Sequence, residues 1–282
     1  MSGLFGTCIL ALLLAVLPYP ALAETPQQPP AYLTFGFLPI VSPERLVKRF
    51  APLTAYLSRE LGIKIRMETA PDFLTFVRRT HDEKRYDILF TAPHLYYLAH
   101  RDHGYHAVAR VDRPGMQAVI VAPRTHGITT VEDLRGKRLA TTDPLALATV
   151  LVRARLREAG IDPDRDLTLI PTPSHNASLL STYQGVTDAA ALILPLFRRA
   201  SPDIRKPMRI VAKTRMAPHM PIAVAPWIDA ATANRIEQAL ITLNRSTEGR
   251  TLLSHLDWPG FVPAREEEYA TLGWISRQLK VH

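Results

Sequence analysis

The sequence has almost no cysteine and lacks the short motifs of several large enzyme classes. Cys8 is the one cysteine among 282 residues, so a disulfide within the chain is excluded. The chain has no Gly-x-Ser-x-Gly, His-Glu-x-x-His, P-loop or Gly-x-Gly-x-x-Gly pattern. Those patterns are typical of hydrolases, zinc peptidases and nucleotide-binding enzymes. We therefore predict a binding protein that uses no cofactor, and not an enzyme.

Residues 1–23 have the features of a secretory signal peptide. They carry no charged side chain, contain an apolar run from Cys8 to Leu17, and end in Ala21-Leu22-Ala23. This small-x-small ending is the pattern that signal peptidase cleaves, and the apolar run is too short to span a bilayer. We predict cleavage before Glu24 and a periplasmic location. A lipid anchor at Cys8 and an uncleaved anchor are the less favoured alternatives.

Cleavage would leave 259 of the 282 residues, none of them cysteine. This length suits two lobes of about 100–150 residues each, and the hydrophobic content of 47% is enough for a substantial core. The net charge of +8 raises nucleic acid as a partner. We disfavour that partner because the basic residues are scattered and no nucleic-acid-binding motif is present. The charge is better explained by a basic surface that gathers anions.

Short apolar runs alternate with periodic segments in two series, which predicts parallel sheets covered by helices. The first series has strands at 32–40, 64–69 and 86–92 and helices at 43–61, 72–79 and from Pro93. The second has strands at 118–122, 137–142, 167–171, 188–194 and 209–214, with helices at 147–159 and 177–183. Helices at 230–243 and 265–279 end the chain. We place one crossing between lobes around residues 116–127 and the return crossing at Met220–Pro226.

The expected fold is α/β, with two lobes joined by a two-strand hinge as in type II periplasmic binding proteins. The first lobe is predicted to hold residues 24–115 and 222–282, and the second to hold residues 116–221. Five motifs follow one another along the chain: LTFGFLPIVSPERLVKRFAPLTAYLSRELG, YDILFTAPHLYYLA, VEDLRGKRLA, REAGIDPDRDL and SHNASLLSTYQGVTDAAAL. In this order and spacing the chain resembles the phosphate, phosphite and phosphonate-binding proteins of ABC importers. The resemblance covers essentially the whole predicted mature chain.

The resemblance implies a ligand cleft whose usual anion contacts are missing. Relatives that bind phosphonates carry a Ser-Thr-Ser run at a helix N-terminus, and residues 146–148 of this chain, Ala-Leu-Ala, align with it. A hydrogen bond to a charged group contributes about 1.5–3 kcal/mol, so losing three weakens oxyanion binding by roughly three to six orders of magnitude. A family tyrosine is replaced by Ile40, whereas Tyr96 and His175 match the family pattern.

We therefore expect an apolar cleft wall and a ligand less polar than a phosphonate. The predicted ligand-binding residues are Ile40, Tyr96, Thr142, Leu145, Ala146, Leu147, Ala148, His175, Asn176 and Leu194. The competing expectation is that Thr142, Thr149 and backbone N–H groups rebuild an oxyanion site one step away. Tyr96 also fits a core aromatic residue, and the 174–176 segment also fits an ordinary helix N-terminus. Asp188 fits a structural role better than a ligand-binding one.

The resemblance also implies a partner. An inner-membrane ABC permease is the default recipient of the ligand, and a sensor kinase or an efflux system is the alternative. We expect a monomer that binds a small molecule.

Two groups of metal-ligand side chains occur in the sequence, and neither predicts a metal site. His100, His103 and His106 share a three-residue spacing, but Gly104 interrupts the helix that would align them. Met216, His219 and Met220 offer the soft and imidazole ligands that Cu(I) prefers, without the closed spacing of a strong metal motif.

Overall fold

The computed structural model describes residues 32–276, and two β-sheets organise them into two lobes. The strands are β1 Leu33–Phe37, β2 Ile65–Glu68, β3 Ile88–Phe90, β4 His106–Val111, β5 Met116–Pro123, β6 Arg138–Thr141, β7 Thr168–Pro171, β8 Ala189–Ile193, β9 Met208–Ala217, β10 Pro221–Val224 and β11 Phe261–Pro263. The helices are α1 Pro43–Leu61, α2 Phe73–His81, α3 Pro93–His103, α4 Leu147–Glu158, α5 His175–Tyr183, α6 Leu194–Arg199, α7 Pro202–Arg205, α8 Ala230–Ile241, α9 Thr247–Leu256, α10 Glu266–Ala270 and α11 Gly273–Ser276. The predicted signal peptide lies outside the described residues.

The first lobe is built on a six-stranded sheet in the order β11-β4-β10-β3-β1-β2. Strand β1 runs parallel to β2 and β3, whereas β10 runs antiparallel to β3 and β4. The second lobe is built on a five-stranded sheet in the order β7-β6-β8-β5-β9. There β6 is parallel to β7 and β8, and β5 is antiparallel to β8 and β9. The predicted two-lobed α/β architecture is confirmed.

The first lobe is completed only after the chain has passed through the second. The strands of the five-stranded sheet come from residues 116–217, while those of the six-stranded sheet come from residues 33–111 and 221–263. Two short crossings, residues 112–115 and 218–220, therefore join the lobes. The first lies earlier than the predicted segment 116–127, because Met116–Pro123 forms strand β5 inside the five-stranded sheet. The exact lobe boundaries near residues 115 and 221 stay a prediction.

Local sequence explains the long helix α1. Pro43 is its first residue, where a missing N–H costs nothing, and Gly62 ends it in the left-handed conformation at φ 64°. Leu46, Phe50 and Leu53 recur at the helical period on one face and are buried. The predicted helix bounds, 43 to 61, are confirmed.

Two predictions about the last third of the chain are wrong. Met220–Pro226 is not a crossing, because Pro221–Val224 forms the buried strand β10 inside the six-stranded sheet. A short apolar run of this kind is typical of a strand covered on both faces, and sequence alone does not tell it from a linker. The helix predicted over 265–279 is two short helices, α10 and α11, and residues beyond 276 lie outside the described part.

Within residues 32–276, no helix combines the length and apolar character needed to cross a bilayer.

The ends of the two crossings touch at Gly115. A Cβ atom at this position would lie 2.3 Å from the carbonyl oxygen of Ala217 and 2.7 Å from Cγ of Met216. The obstacle is partly backbone, so a flexible side chain cannot simply move aside. The close approach of the two chain segments therefore requires glycine at this position.

We predict that Gly115→Ala destabilises the protein because the new methyl group forces the two segments apart. Overpacking of this kind lowers the free energy of unfolding by about 1–3 kcal/mol. Thermal unfolding followed by circular dichroism measures the change. Gly273→Ala is the matched control, because its Cβ would meet a side-chain atom, Tyr97 Oη, at 3.2 Å. Equal midpoints for Gly115→Ala and the unmodified protein would contradict the prediction.

Candidate functional site

The lobes meet where the start of α3 faces the loop between β6 and α4. His94, the second residue of α3, is fully buried, and its Nε2 lies 2.8 Å from the carbonyl oxygen of Leu145. A carbonyl oxygen only accepts, so Nε2 carries the hydrogen of the neutral ring. Nδ1 is then an acceptor, and it is buried without a hydrogen-bond partner in the described part of the chain. His94 thus links the lobes and leaves one nitrogen unused.

Burial determines the charge of His94. Removal from water lowers its pKa to about 4, although the hydrogen bond to Leu145 raises it in part. At pH 7 the ring is therefore neutral, and it offers an incoming anion no positive charge.

The N-terminus of α4 carries no side-chain cap. Ala146 occupies the cap position in an extended conformation, and its methyl group cannot accept a hydrogen bond. Leu147 and Ala148 are buried in the core cluster that also contains first-lobe residues. Among residues 32–276, the N–H groups of Leu147, Ala148 and Thr149 have no hydrogen-bond acceptor. The helix end therefore keeps free N–H donors but presents apolar side chains around them.

A carboxylate of the chain itself stands beside this helix end. Asp143 Oδ1 accepts a hydrogen bond from the N–H of Leu145 at 2.7 Å, and the Asp143 carbonyl accepts from the N–H of Ala146 at 2.9 Å. Burial raises the pKa of Asp143, the hydrogen bond from Leu145 lowers it, and the charge of Asp72 in the first lobe raises it further. An ionised Asp143 repels any anion approaching α4.

Thr142 and Thr149 are buried side by side, with their Oγ1 atoms 3.5 Å apart. Thr149 Oγ1 also lies 3.4 Å from the carbonyl oxygen of Thr142. Both distances exceed the range of about 2.5–3.0 Å that is typical of O–H···O hydrogen bonds, so these hydroxyls are only weakly engaged. A new oxyanion site formed by the two hydroxyls stays a prediction.

His175 is the first residue of α5 and has an unused nitrogen. Its Nδ1 is buried without a hydrogen-bond partner in the described residues, and burial lowers its pKa to about 4. The helix cap is Ser174, which accepts from the N–H of Ala177 at 3.1 Å, so His175 is not needed for capping. Asn176 is exposed. A neutral imidazole with a free nitrogen can orient a polar group of a ligand.

Two predicted site residues have their side chains engaged within their own lobes. Tyr96 is fully buried, and its hydroxyl accepts a hydrogen bond from the N–H of Ala107 at 2.9 Å. Leu194 packs in a second-lobe cluster that includes Phe197. Ile40, in contrast, is 39% exposed in the loop after β1. The predicted contacts of Tyr96 and Leu194 with ligand are therefore less favoured than that of His175.

Asp188 has the structural role expected for it. Its Oδ2 accepts a hydrogen bond from the backbone N–H of Arg138 at 2.8 Å, and the two side chains form an ion pair at 3.0 Å. This contact links the ends of β6 and β8.

An arginine cluster around Asp257 was not predicted from the sequence. Arg199 of α6 donates to Asp257 Oδ2 at 2.7 Å, and Arg113 of the first crossing lies 3.6 Å from the same oxygen. Arg49 donates to the carbonyl of Leu256 at 2.9 Å, and its charge interacts with all three groups. Two guanidinium groups thus pair with one carboxylate, and that of Arg49 lies near them. The members are far apart in the sequence, so no local motif could reveal them.

The methionine and histidine group near the return crossing is dispersed. Met220 is buried in the core, whereas Met216 on β9 is 60% exposed. The Nδ1 atom of His219 already accepts a hydrogen bond from the N–H of Met220 at 2.9 Å. These placements do not favour a copper site.

Comparisons with known proteins agree with this architecture. The family model described as the periplasmic phosphonate substrate-binding protein of ABC transporters matches residues 35–269. A curated relative, the phosphonates-binding periplasmic protein of Escherichia coli strain K12, is 22% identical over 260 residues, covering 88% of this chain and 76% of the relative. Proteins of this family serve transport as substrate-binding components, not as enzymes.

Solved structures show the same fold at low identity. PhnD1 of Prochlorococcus marinus, solved in complex with methylphosphonate, is 15% identical with a TM-score of 0.78, covering 90% of this chain and 100% of that one. A binding-protein component of an ABC phosphonate transporter from Pseudomonas aeruginosa is 17% identical with a TM-score of 0.74, covering 87% and 85%.

The buried state of His94 predicts a dependence of stability on pH. In the unfolded chain a histidine takes up a proton near pH 6.5, whereas folded His94 stays neutral down to about pH 4. Its folded pKa is therefore depressed, and its contribution to stability is present above pH 6.5 and is lost as pH falls toward 4. The loss is at most about 1.4 kcal/mol per pH unit for one histidine.

We predict that His94→Gln flattens this pH dependence, because glutamine keeps a donor for Leu145 but takes up no proton. Unfolding in urea at pH 7, 6, 5 and 4.5 measures the free energy for both proteins. Between about pH 6.5 and 4, the free energy of unfolding of the variant is expected to fall less steeply with pH, by up to about 1.4 kcal/mol per pH unit. His126→Gln, at an exposed position, is the control and should keep the unmodified slope. A slope unchanged in His94→Gln would contradict the assignment.

Proposed function

This chain belongs to the family of periplasmic substrate-binding proteins of phosphonate ABC transporters, and on that premise we propose that it captures a small ligand between its lobes. The ligand is released to an ABC-type permease at the inner membrane. Export through a cleaved signal peptide at residues 1–23, and action as a monomer, are parts of the same proposal. The family membership and the two-lobed fold support it.

We further propose that the ligand is less polar than a phosphonate. The observation that supports this is the N-terminus of α4, which carries the apolar residues Ala146, Leu147 and Ala148 and no side-chain cap, with the Asp143 carboxylate beside it. A ligand in contact with this wall gains about 25 cal/mol for each Å² of apolar surface that it buries. The free Nδ1 atoms of His94 and His175 are the polar groups proposed to orient it.

The arginine cluster supports a ligand with one acidic end. Arg49, Arg113 and Arg199 outnumber their single carboxylate partner Asp257, and the Nε atoms of Arg49 and Arg113 are buried without partners among the described residues. We propose a ligand with an apolar body that contacts the wall at α4 and an anionic end that pairs with the arginines, such as a lipid-like compound. This chemistry differs from that of a compact oxyanion.

We predict that the mature protein binds phosphate, phosphite, methylphosphonate and aminoethylphosphonate weakly. The missing hydroxyls remove hydrogen bonds of about 1.5–3 kcal/mol each. Isothermal titration calorimetry of the four compounds is expected to give no heat of binding at micromolar concentrations. Fatty acids and lysophospholipids form the comparison panel. Micromolar binding of any of the four anions would overturn the proposal of an apolar cleft.

We predict that the triple variant Ala146→Ser, Leu147→Thr, Ala148→Ser combined with Asp143→Asn gains affinity for methylphosphonate. The substitutions restore three hydroxyl donors and remove the repelling charge, while the amide oxygen of the introduced asparagine can still accept from the N–H of Leu145. Three charge-assisted hydrogen bonds correspond to a gain of about three orders of magnitude or more. The three substitutions without Asp143→Asn separate the two effects. A correctly folded quadruple variant with no gain would place the ligand site elsewhere.

A further inference from the structure

A histidine and glutamate cluster lies on the first lobe, at residues unused by the proposed ligand site. It contains His100 in the last turn of α3, His106 at the start of β4 and Glu266 at the start of α10. One nitrogen of each imidazole and one carboxylate oxygen lie within 4.8 Å of one another. The three side chains come from three different elements, so the fold creates the cluster.

The turn at Gly104 brings the two histidines together. Gly104 ends α3 in the left-handed conformation at φ 71°, and its N–H donates to the carbonyl of His100 at 3.0 Å. The chain reverses there, so that His106 on β4 lies beside His100, with ring centroids 6.0 Å apart. The glycine that interrupts the helix therefore creates the juxtaposition instead of preventing it. His103 is not part of it, because its ring lies against that of His81, with centroids 4.3 Å apart.

The hydrogen bonds of His100 direct one nitrogen toward the cluster. Its Nδ1 lies 2.8 Å from the carbonyl oxygen of Tyr105, so Nδ1 carries the hydrogen and Nε2 keeps a free lone pair. A histidine that ligates a metal is commonly held in this way by a backbone carbonyl on its other nitrogen. His100 Nε2 lies 3.7 Å from Glu266 Oε2, and His106 Nδ1 lies 3.1 Å from Glu266 Oε1.

The Glu266 carboxylate lies between the two imidazoles. Its Oε2 atom is 3.7 Å from His100 and its Oε1 atom is 3.1 Å from His106, so one oxygen faces each ring. The three ligand atoms lie within 4.8 Å of one another, close enough for one ion to contact all three side chains after small rotations. Two imidazoles and one carboxylate are a known donor set for zinc sites that keep a fourth position for water.

We propose that His100, His106 and Glu266 bind one Zn²⁺ ion, or a divalent transition metal of similar preference, with water at the fourth position. The ion ties α3, β4 and α10 together and so stabilises the first lobe. Because the site does not involve the proposed ligand residues, it is independent of the ligand proposal.

The test uses untagged mature protein freed of metal by a chelator. Calorimetric titration with ZnCl₂ is expected to give one site per chain with a dissociation constant at or below about 10 µM. This value corresponds to a binding free energy of about −7 kcal/mol. Zinc in excess should also raise the thermal midpoint, because an ion bound only to the folded state stabilises it. Co²⁺ in place of Zn²⁺ should give the visible absorption of a tetrahedral site.

Variants distinguish this site from adventitious binding. His100→Ala, His106→Ala and Glu266→Gln should each weaken zinc binding at least tenfold and abolish the thermal shift, while His126→Ala should change neither. Glu266→Gln keeps a hydrogen-bond acceptor for the histidines, so its loss of zinc binding is not explained by misfolding. No binding at about 100 µM zinc would overturn the proposal, because even a weak site with a binding free energy of about −5.5 kcal/mol would be half filled at that concentration. Unchanged affinity in His100→Ala and His106→Ala would overturn it equally.

Discussion

The hydrogen bond between His94 Nε2 and the carbonyl oxygen of Leu145 is the interaction on which the arrangement of the candidate site depends. It holds the start of α3 in one lobe against the residues that precede α4 in the other. Because the ring is fully buried, it must stay neutral to keep this geometry. The lobes therefore meet through a polar contact surrounded by apolar side chains, and the α4 N-terminus lies at its edge.

This constraint changes what the fold can bind. A helix N-terminus attracts anions through its free N–H groups and its dipole. Here those groups remain, but Leu147 and Ala148 are buried beside them and the carboxyl of Asp143 stands next to them. The proposed preference for an apolar ligand rests on these surroundings of the helix end. The arginines around Asp257 offer positive charge at a different position.

Sequence patterns predicted the elements well where local rules decide them. Pro43 and Gly62 set the ends of α1 because proline and glycine have strong positional preferences. Strand β10 was missed because a buried strand and an apolar linker have the same composition. His94 was missed because its role arises from a contact between lobes, and the pairing of His100 with His106 because a left-handed turn at Gly104 joins them. No pattern within one segment carries such information.

We propose that the cleft accommodates an apolar or lipid-like compound in place of a compact oxyanion. Native mass spectrometry of the mature protein purified from the periplasm, followed by identification of the compound released on denaturation, tests it most directly. We expect a bound species of lipid-like composition that is extracted into organic solvent. Phosphate or a small phosphonate as the released compound, bound in one-to-one ratio, would contradict it.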